Sequence, residues 1–181
     1  MKSDKELLDE IKLGNELAFA SLYNRYKQPL YAYCIKMIRD KDAAKDIVHD
    51  VFIKVYENHL SIISTNSFKP WLFTVTRNQC INYIRKSKKF ADIDLINEQS
   101  DSINVHDIYT GKEKSEIIKN ALDKLKYDER ELIIFREYLD YSYEEIAKTM
   151  DTTTGAVKAR LFKVRKKLFE ILQPIYKRKD L

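Results

Sequence analysis

The chain has 181 residues, 44% hydrophobic and 34% charged, with a formal net charge of +5. This hydrophobic share is too high for a disordered chain, and only 3 Gly and 3 Pro argue against an all-β fold or an enzyme built on glycine loops. No apolar run reaches the roughly 18 residues that a membrane span needs, and the N-terminus MKSDKELLDE lacks a signal core, so the expectation is a cytoplasmic protein without membrane insertion.

The elements read as helices throughout. Ser3-Asp4-Lys5-Glu6 forms a capping box, and the short helix it opens stops at Gly14. Asn15 caps a second helix, whose Ala18, Phe19, Leu22, Tyr23 and Tyr26 repeat at helical spacing. Pro29 reads as a break that opens a third segment, with Leu30, Tyr33, Cys34 and Met37 inward. From Asp40, another helix carries Ile47, Val48, Val51, Phe52 and Val55 as its core stripe to about Tyr56. Glu57–Ser67 loses periodicity and reads as a loop. Helical pattern returns from Phe68 to Lys88, with Trp71, Leu72, Val75, Ile81 and Ile84 as expected core.

Residues 91–112 show no sustained period and include Gly111, so they read as a linker. A short helix with Ile117, Ile118, Ala121, Leu122 and Leu125 follows it. Asp128–Glu131 and Ser142–Glu145 each match a capping box ahead of an apolar repeat. From Tyr143 the pattern is a short helix, a turn at Asp151-Thr152 and a long basic helix from Thr153 or Thr154, which is the helix-turn-helix order. Asp151 stands where the turn needs a left-handed backbone, which Asp tolerates better than most residues. Val157, Leu161, Val164 and Leu168 form the core stripe of the last helix.

Charge is unevenly spread. Lys69 to Phe90 holds six bases and no acid, Ala91 to Lys112 five acids and one base, and Thr154 to Lys179 nine bases and one acid. Two basic patches flank an acidic middle. In the first patch Asn78, Asn82, Arg85 and Lys89 share one helical stripe, so amides able to read bases and cations able to hold phosphates share a face beside a polar loop that could hold single-stranded bases. In the second, Thr153, Thr154, Gly155 and Ala156 permit close approach to a groove. The cations behind them, Lys158, Arg160, Lys163 and Arg165, can reach phosphates or guanine edges. Asp42, Asp46 and Asp50, four residues apart, suit a solvated face, a surface that docks a basic partner or, least well, a metal cluster. Cys34 and Cys80 match no metal spacing and read as buried side chains, with a disulfide not expected. No Ser–His–Asp set, nucleotide-binding glycine loop or carboxylate pair can be assembled, so no catalytic residue, metal or cofactor is assigned and the chain is not expected to be an enzyme.

Three stretches resemble the extracytoplasmic-function (ECF) sigma factors of bacterial RNA polymerase. Asp46–Tyr56 is similar to their core-binding helix. Phe68–Asn78 with Tyr83-Ile-Arg85 is similar to their melting and minus-ten helix. Tyr141–Ala147 with Gly155–Leu161 is similar to their minus-35 helix-turn-helix. The resemblance implies an all-α chain of two small helical domains joined by a flexible acidic linker, divided as 1–90, 91–114 and 115–181. It implies that Asp46, His49 and Asp50 face the clamp helices of core polymerase and that Asn78, Asn82, Arg85, Lys86 and Lys89 contact minus-ten DNA. It further implies that Thr153, Thr154, Lys158, Arg160, Lys163 and Arg165 contact minus-35 DNA, that the last helix meets the polymerase flap, and that an anti-sigma factor is a possible partner. His49 stands where the family usually has Gln, Asn82 and Lys45 stand at positions commonly acidic, and Asp151 replaces a turn Gly. A free-standing helix-turn-helix regulator is the alternative, but it leaves the Asn78–Lys89 stripe and its polar loop unexplained.

Overall fold

The structure is a computed structural model that describes residues 2–58, 68–91 and 111–177, with side chains for all of these but 88–91, 111–115 and 175–177. The described residues form helices and turns, with no strand among them.

Helix α1 (Asp4–Lys12) starts at the expected capping box: the Glu6 amide donates to Ser3 Oγ at 3.3 Å, and the Ser3 amide donates back to the Glu6 carboxylate at 2.7 Å. Gly14 ends the helix with φ +83°, a conformation that a residue with a Cβ adopts only under strain. Asn15 then caps α2 (Glu16–Ile38) by accepting from the amides of Leu17 and Ala18.

The expected break at Pro29 is corrected: α2 runs straight through it. Proline removes one backbone donor, but Ala18, Leu22, Tyr26, Leu30, Tyr33, Cys34 and Met37 form one unbroken buried stripe across it. Ending the helix there would take half of that stripe out of the core. Arg39, in the left-handed region at φ 62°, turns the chain, and Asp40 opens α3 (Lys41–Asn58) by accepting from the amides of Asp42 and Ala43, each at 3.0 Å. Glu57 and Asn58, expected in a loop, close α3; the rest of that loop, 59–67, lies outside the described residues.

Helix α4 (Phe68–Ala91) buries a face different from the expected one. Phe68, Leu72, Phe73, Thr76 and Cys80 are buried, whereas Trp71, Val75, Ile81 and Ile84 are only half-buried. The reason is that α4 is covered on two sides, by α2 and α3 and by the C-terminal half, so its buried stripe is turned toward Phe73 and Thr76. Thr76 satisfies its hydroxyl by donating to the Leu72 carbonyl at 2.8 Å. Cys34 and Cys80 are both fully buried, as expected, and meet across α2 and α4 with sulfurs 3.7 Å apart.

Helix α5 (Gly111–Asp123) begins inside the expected linker, at Gly111. Residues 92–110 lie outside the described residues. Helix α6 (Tyr127–Ile133) continues as a π turn, Ile134–Tyr138, whose wider winding projects Ile134 and Phe135 fully into the core. The Asp128–Glu131 capping box is corrected: α6 starts two residues earlier, Lys126 is its cap position, and Glu129 accepts from the Lys126 amide at 2.8 Å. Glu131 points inward instead and is fully buried. The Ser142–Glu145 box is present at the start of α7 (Tyr143–Thr149). Asp151 has φ 49°, the expected left-handed turn, and α8 (Thr154–Lys177) follows.

The fold is thus two helical domains. One contiguous apolar core joins them, with Tyr33 and Phe73 on one side meeting Phe135 and Tyr141 on the other.

Candidate nucleic-acid interface

The helix-turn-helix is built from α7 and α8. Val157, Leu161 and Val164 are buried against the rest of the domain, which fixes the rotation of α8 and leaves its other faces outward. Thr153 caps the helix by accepting from the Ala156 amide at 3.2 Å. Thr153, Gly155, Lys158, Arg160, Lys163 and Arg165 are exposed, with Thr154 and Ala156 half-buried. The helix therefore offers a small tip with longer cations behind it, a shape that fits a major groove. Two of the cations are already oriented. The Lys158 ammonium lies 5.5 Å from the centre of the Tyr143 ring, and Arg165 donates to Glu137 of the π turn at 2.6 Å, which raises its already high pKa.

On α4, Asn78, Asn82, Arg85 and Lys86 are exposed on the side away from the buried Leu72, Thr76 and Cys80. Asn78, Asn82 and Arg85 share a stripe at successive turns, as expected; the side chain of Lys89 lies outside the described residues. The orientation of α4 is fixed from below, where Tyr83 donates to Asp40 Oδ2 at 2.7 Å. The amide of Ala43, then Tyr83, hold the Asp40 carboxyl below the usual carboxylate range. On α3, Asp46, His49 and Asp50 are exposed opposite the buried Ala44, Val48, Val51 and Val55. Asp42 is paired with Lys45 at 2.9 Å. Among the described residues no group of three or more His, Cys, Asp or Glu side chains converges to hold a metal.

Two aromatic residues escaped the sequence reading. Phe162 and Phe169 of α8 are 73% and 63% exposed. Their spacing of seven, to one side of the Leu161–Val164 stripe, is the signal that could have found them.

The description "Sigma-70 region 2" fits residues 22–90, and "Sigma-70, region 4" fits residues 115–168, so the two models together account for most of the chain, in order. The chain belongs to the ECF sigma factors. As a sigma factor it binds core RNA polymerase and directs initiation at specific promoters through minus-ten and minus-35 elements. It is 27% identical over 187 residues to the ECF RNA polymerase sigma-E factor of Escherichia coli (strain K12), with 97% of each chain covered. It is 24% identical over 185 residues to the RNA polymerase sigma-H factor of Pseudomonas aeruginosa, with 96% of each covered. Among solved structures, the sigma factor RpoE in complex with the anti-sigma factor NepR from Bartonella quintana matches with a TM-score of 0.67 and 27% identity over 84% of this sigma factor and 97% of that chain. The complex of CnrH with the cytosolic domain of CnrY matches with a TM-score of 0.74 over 96% and 99%, at 20% identity, and speaks to the fold alone. Sigma factors are non-enzymatic regulatory subunits, and none of the described helices is long and apolar enough to cross a membrane.

Proposed function

We propose that residues 1–90 form the unit that docks on core polymerase and reads the minus-ten element, that 115–181 form the unit that reads the minus-35 element, and that 91–114 connect them. Within the first unit, Asn78, Asn82, Arg85, Lys86 and Lys89 of α4 contact minus-ten DNA, while Asp46, His49 and Asp50 of α3 face the clamp helices of the polymerase. Within the second, Thr153 and Thr154 approach the groove, and Lys158, Arg160, Lys163 and Arg165 hold phosphates or base edges. The exposed Phe162 and Phe169 suit the contact of α8 with the polymerase flap. The protein has no catalytic role of its own and works in the cytoplasm, where its polymerase and promoters are. An anti-sigma factor is a fitting regulator, because the matched RpoE is seen bound to one.

One observation carries this reading: the chain presents two separate exposed cationic helical faces, on α4 and on α8, and an acidic exposed face on α3. Footprinting of the reconstituted polymerase on a cognate promoter tests it. Substitution of Arg160 should remove upstream protection, and substitution of Arg85 should remove opening near the start site. Loss of the same region in both variants would refute the division of labour.

A further inference from the structure

Glu131 is a fully buried acid whose charge is met entirely by the other half of the molecule. Tyr33 of α2 donates to its Oε1 at 2.5 Å, and Arg77 Nε of α4 donates to both carboxylate oxygens at 3.0 and 2.9 Å. Around this centre Phe135 stacks on Tyr33 with ring centres 5.3 Å apart, and Tyr141 packs edge-on against Phe73 at 5.2 Å. The rim is polar: Lys69 pairs with Glu145 at 2.8 Å, Thr74 donates to the Thr149 carbonyl at 3.3 Å, and Arg39 donates to the Lys119 carbonyl at 3.0 Å. A buried carboxylate persists only where partners meet its charge, so the burial of Glu131 exists because the two halves are closed on each other.

Two features mark this contact as one made to open. The first rests on the sigma-factor reading. Elements centred near positions minus ten and minus 35 are about 25 base pairs apart, or about 85 Å at 3.4 Å per pair. A compact chain of this length has a radius of gyration of about 16 Å, or about 40 Å across, so the closed form cannot reach both. Residues 92–110 can extend to at most about 65 Å, enough to bridge the difference once the halves part. The second feature is local. The hydroxyl of Tyr141 is buried beside this interface without a hydrogen-bond partner, and opening returns it to water.

We propose that Glu131, Tyr33 and Arg77 form a latch that holds this sigma factor closed, and that engagement of core polymerase must break it before the two promoter elements can be read together. Arg77 sits next to Asn78 on α4, so the latch lies on the flank of the minus-ten helix itself. Closure lowers apparent affinity for the polymerase by the fraction of molecules that are open.

The full-length chain tests this with Glu131→Lys, which sets two cations against each other in the closed form and leaves each half free to fold. Solution scattering should give a radius of gyration of about 16 Å for the parent and a clearly larger one for the variant, with the same helical content by circular dichroism. Core polymerase should bind the variant about ten-fold more tightly or better. Arg77→Glu should open the chain in the same way from the other side, and the swap Arg77→Glu with Glu131→Arg should close it again. A parent already extended in solution, single variants that stay compact, or expansion with no gain in polymerase binding would each overturn the latch. Because scattering needs neither polymerase nor promoter, a failure of the latch is distinguishable from a failure of the sigma-factor reading.

Discussion

Arg165 of α8 is tied to Glu137 of the π turn, with Nη2 2.6 Å from Oε1. This pair ties a proposed DNA contact to a carboxylate that would itself repel phosphate. Glu137→Ala should therefore free Arg165 and strengthen binding to a minus-35 duplex. With one more cation available to a phosphate, the slope of log affinity against log salt should steepen by about one. Fluorescence anisotropy over a salt series measures both quantities; an unchanged slope would remove Arg165 from the DNA contacts.

The neighbouring cations should separate by kind. Lys158→Ala and Arg160→Ala should each weaken promoter binding, by about 1–3 kcal/mol where the side chain reads a base and by less where it holds a phosphate. A phosphate contact should be lost equally on cognate and unrelated DNA, and a base contact on the cognate site alone. Competition binding with the two kinds of duplex distinguishes them, and full retention of binding in both variants would misplace the recognition helix.

Asp46 is exposed on α3, so its charge does little for the fold. Asp46→Arg should leave thermal stability within about 0.5 kcal/mol of the parent while weakening association with core polymerase. Calorimetric melting and polymerase titration are the two measurements, and unchanged polymerase affinity would refute the docking face.

Acid should loosen the C-terminal domain. The Lys167 ammonium, 2.6 Å from Glu129, holds the Glu129 carboxyl below its ordinary value of 4.5, and the Lys126 amide adds to this. The folded form thus binds this proton less readily than the unfolded form. The stability from Glu129 is complete above about pH 4.5 and is lost as pH falls through the lower folded value. Glu145 is held down in the same sense, by the Lys69 side chain and the Ser142 amide, which together outweigh its burial. Glu131 runs the other way: burial raises its carboxyl, against the pull of Tyr33 and Arg77. The difference between parent and Glu129→Gln isolates the first effect: the variant should be less stable near neutrality, and the gap should close below pH 4. A gap independent of pH would contradict the Glu129–Lys167 linkage.

Both thiols should be silent in the folded state. Cys34 and Cys80 have no exposed surface, and contact with the Cys80 thiol, then burial, pushes Cys34 far above its ordinary range. Reaction with a thiol reagent at neutral pH should follow global unfolding across a denaturant series, because the thiolate is the reactive form. Labelling far below the unfolding midpoint would show that α2 and α4 part locally.

Much of this architecture was legible in the residues because it depends on local chemistry. Ser3, Asn15 and Ser142 mark helix starts by accepting from nearby amides, and Asp151 marks the turn by its tolerance of positive φ. Errors arose where distant contacts decide. Pro29 stays helical because the stripe from Ala18 to Met37 is buried on both sides of it. Glu131 looked like a capping residue from its spacing to Asp128, but its partners are Tyr33 and Arg77, 98 and 54 residues away. The same distant packing turned the buried face of α4 from Trp71 toward Phe73 and Thr76. The exposed faces of α3, α4 and α8 were readable because exposure follows from the period of their apolar residues, whereas the closed docking of the halves leaves no local mark.

The most direct measurement of the central claim is run-off transcription with the purified chain and a bacterial core polymerase lacking any other sigma factor, on templates carrying candidate promoters. The account predicts RNA of a defined length that starts at one position, and that is lost when either the minus-ten or the minus-35 sequence is scrambled. Initiation that never rises above core polymerase alone, or that ignores both sequences, would contradict it.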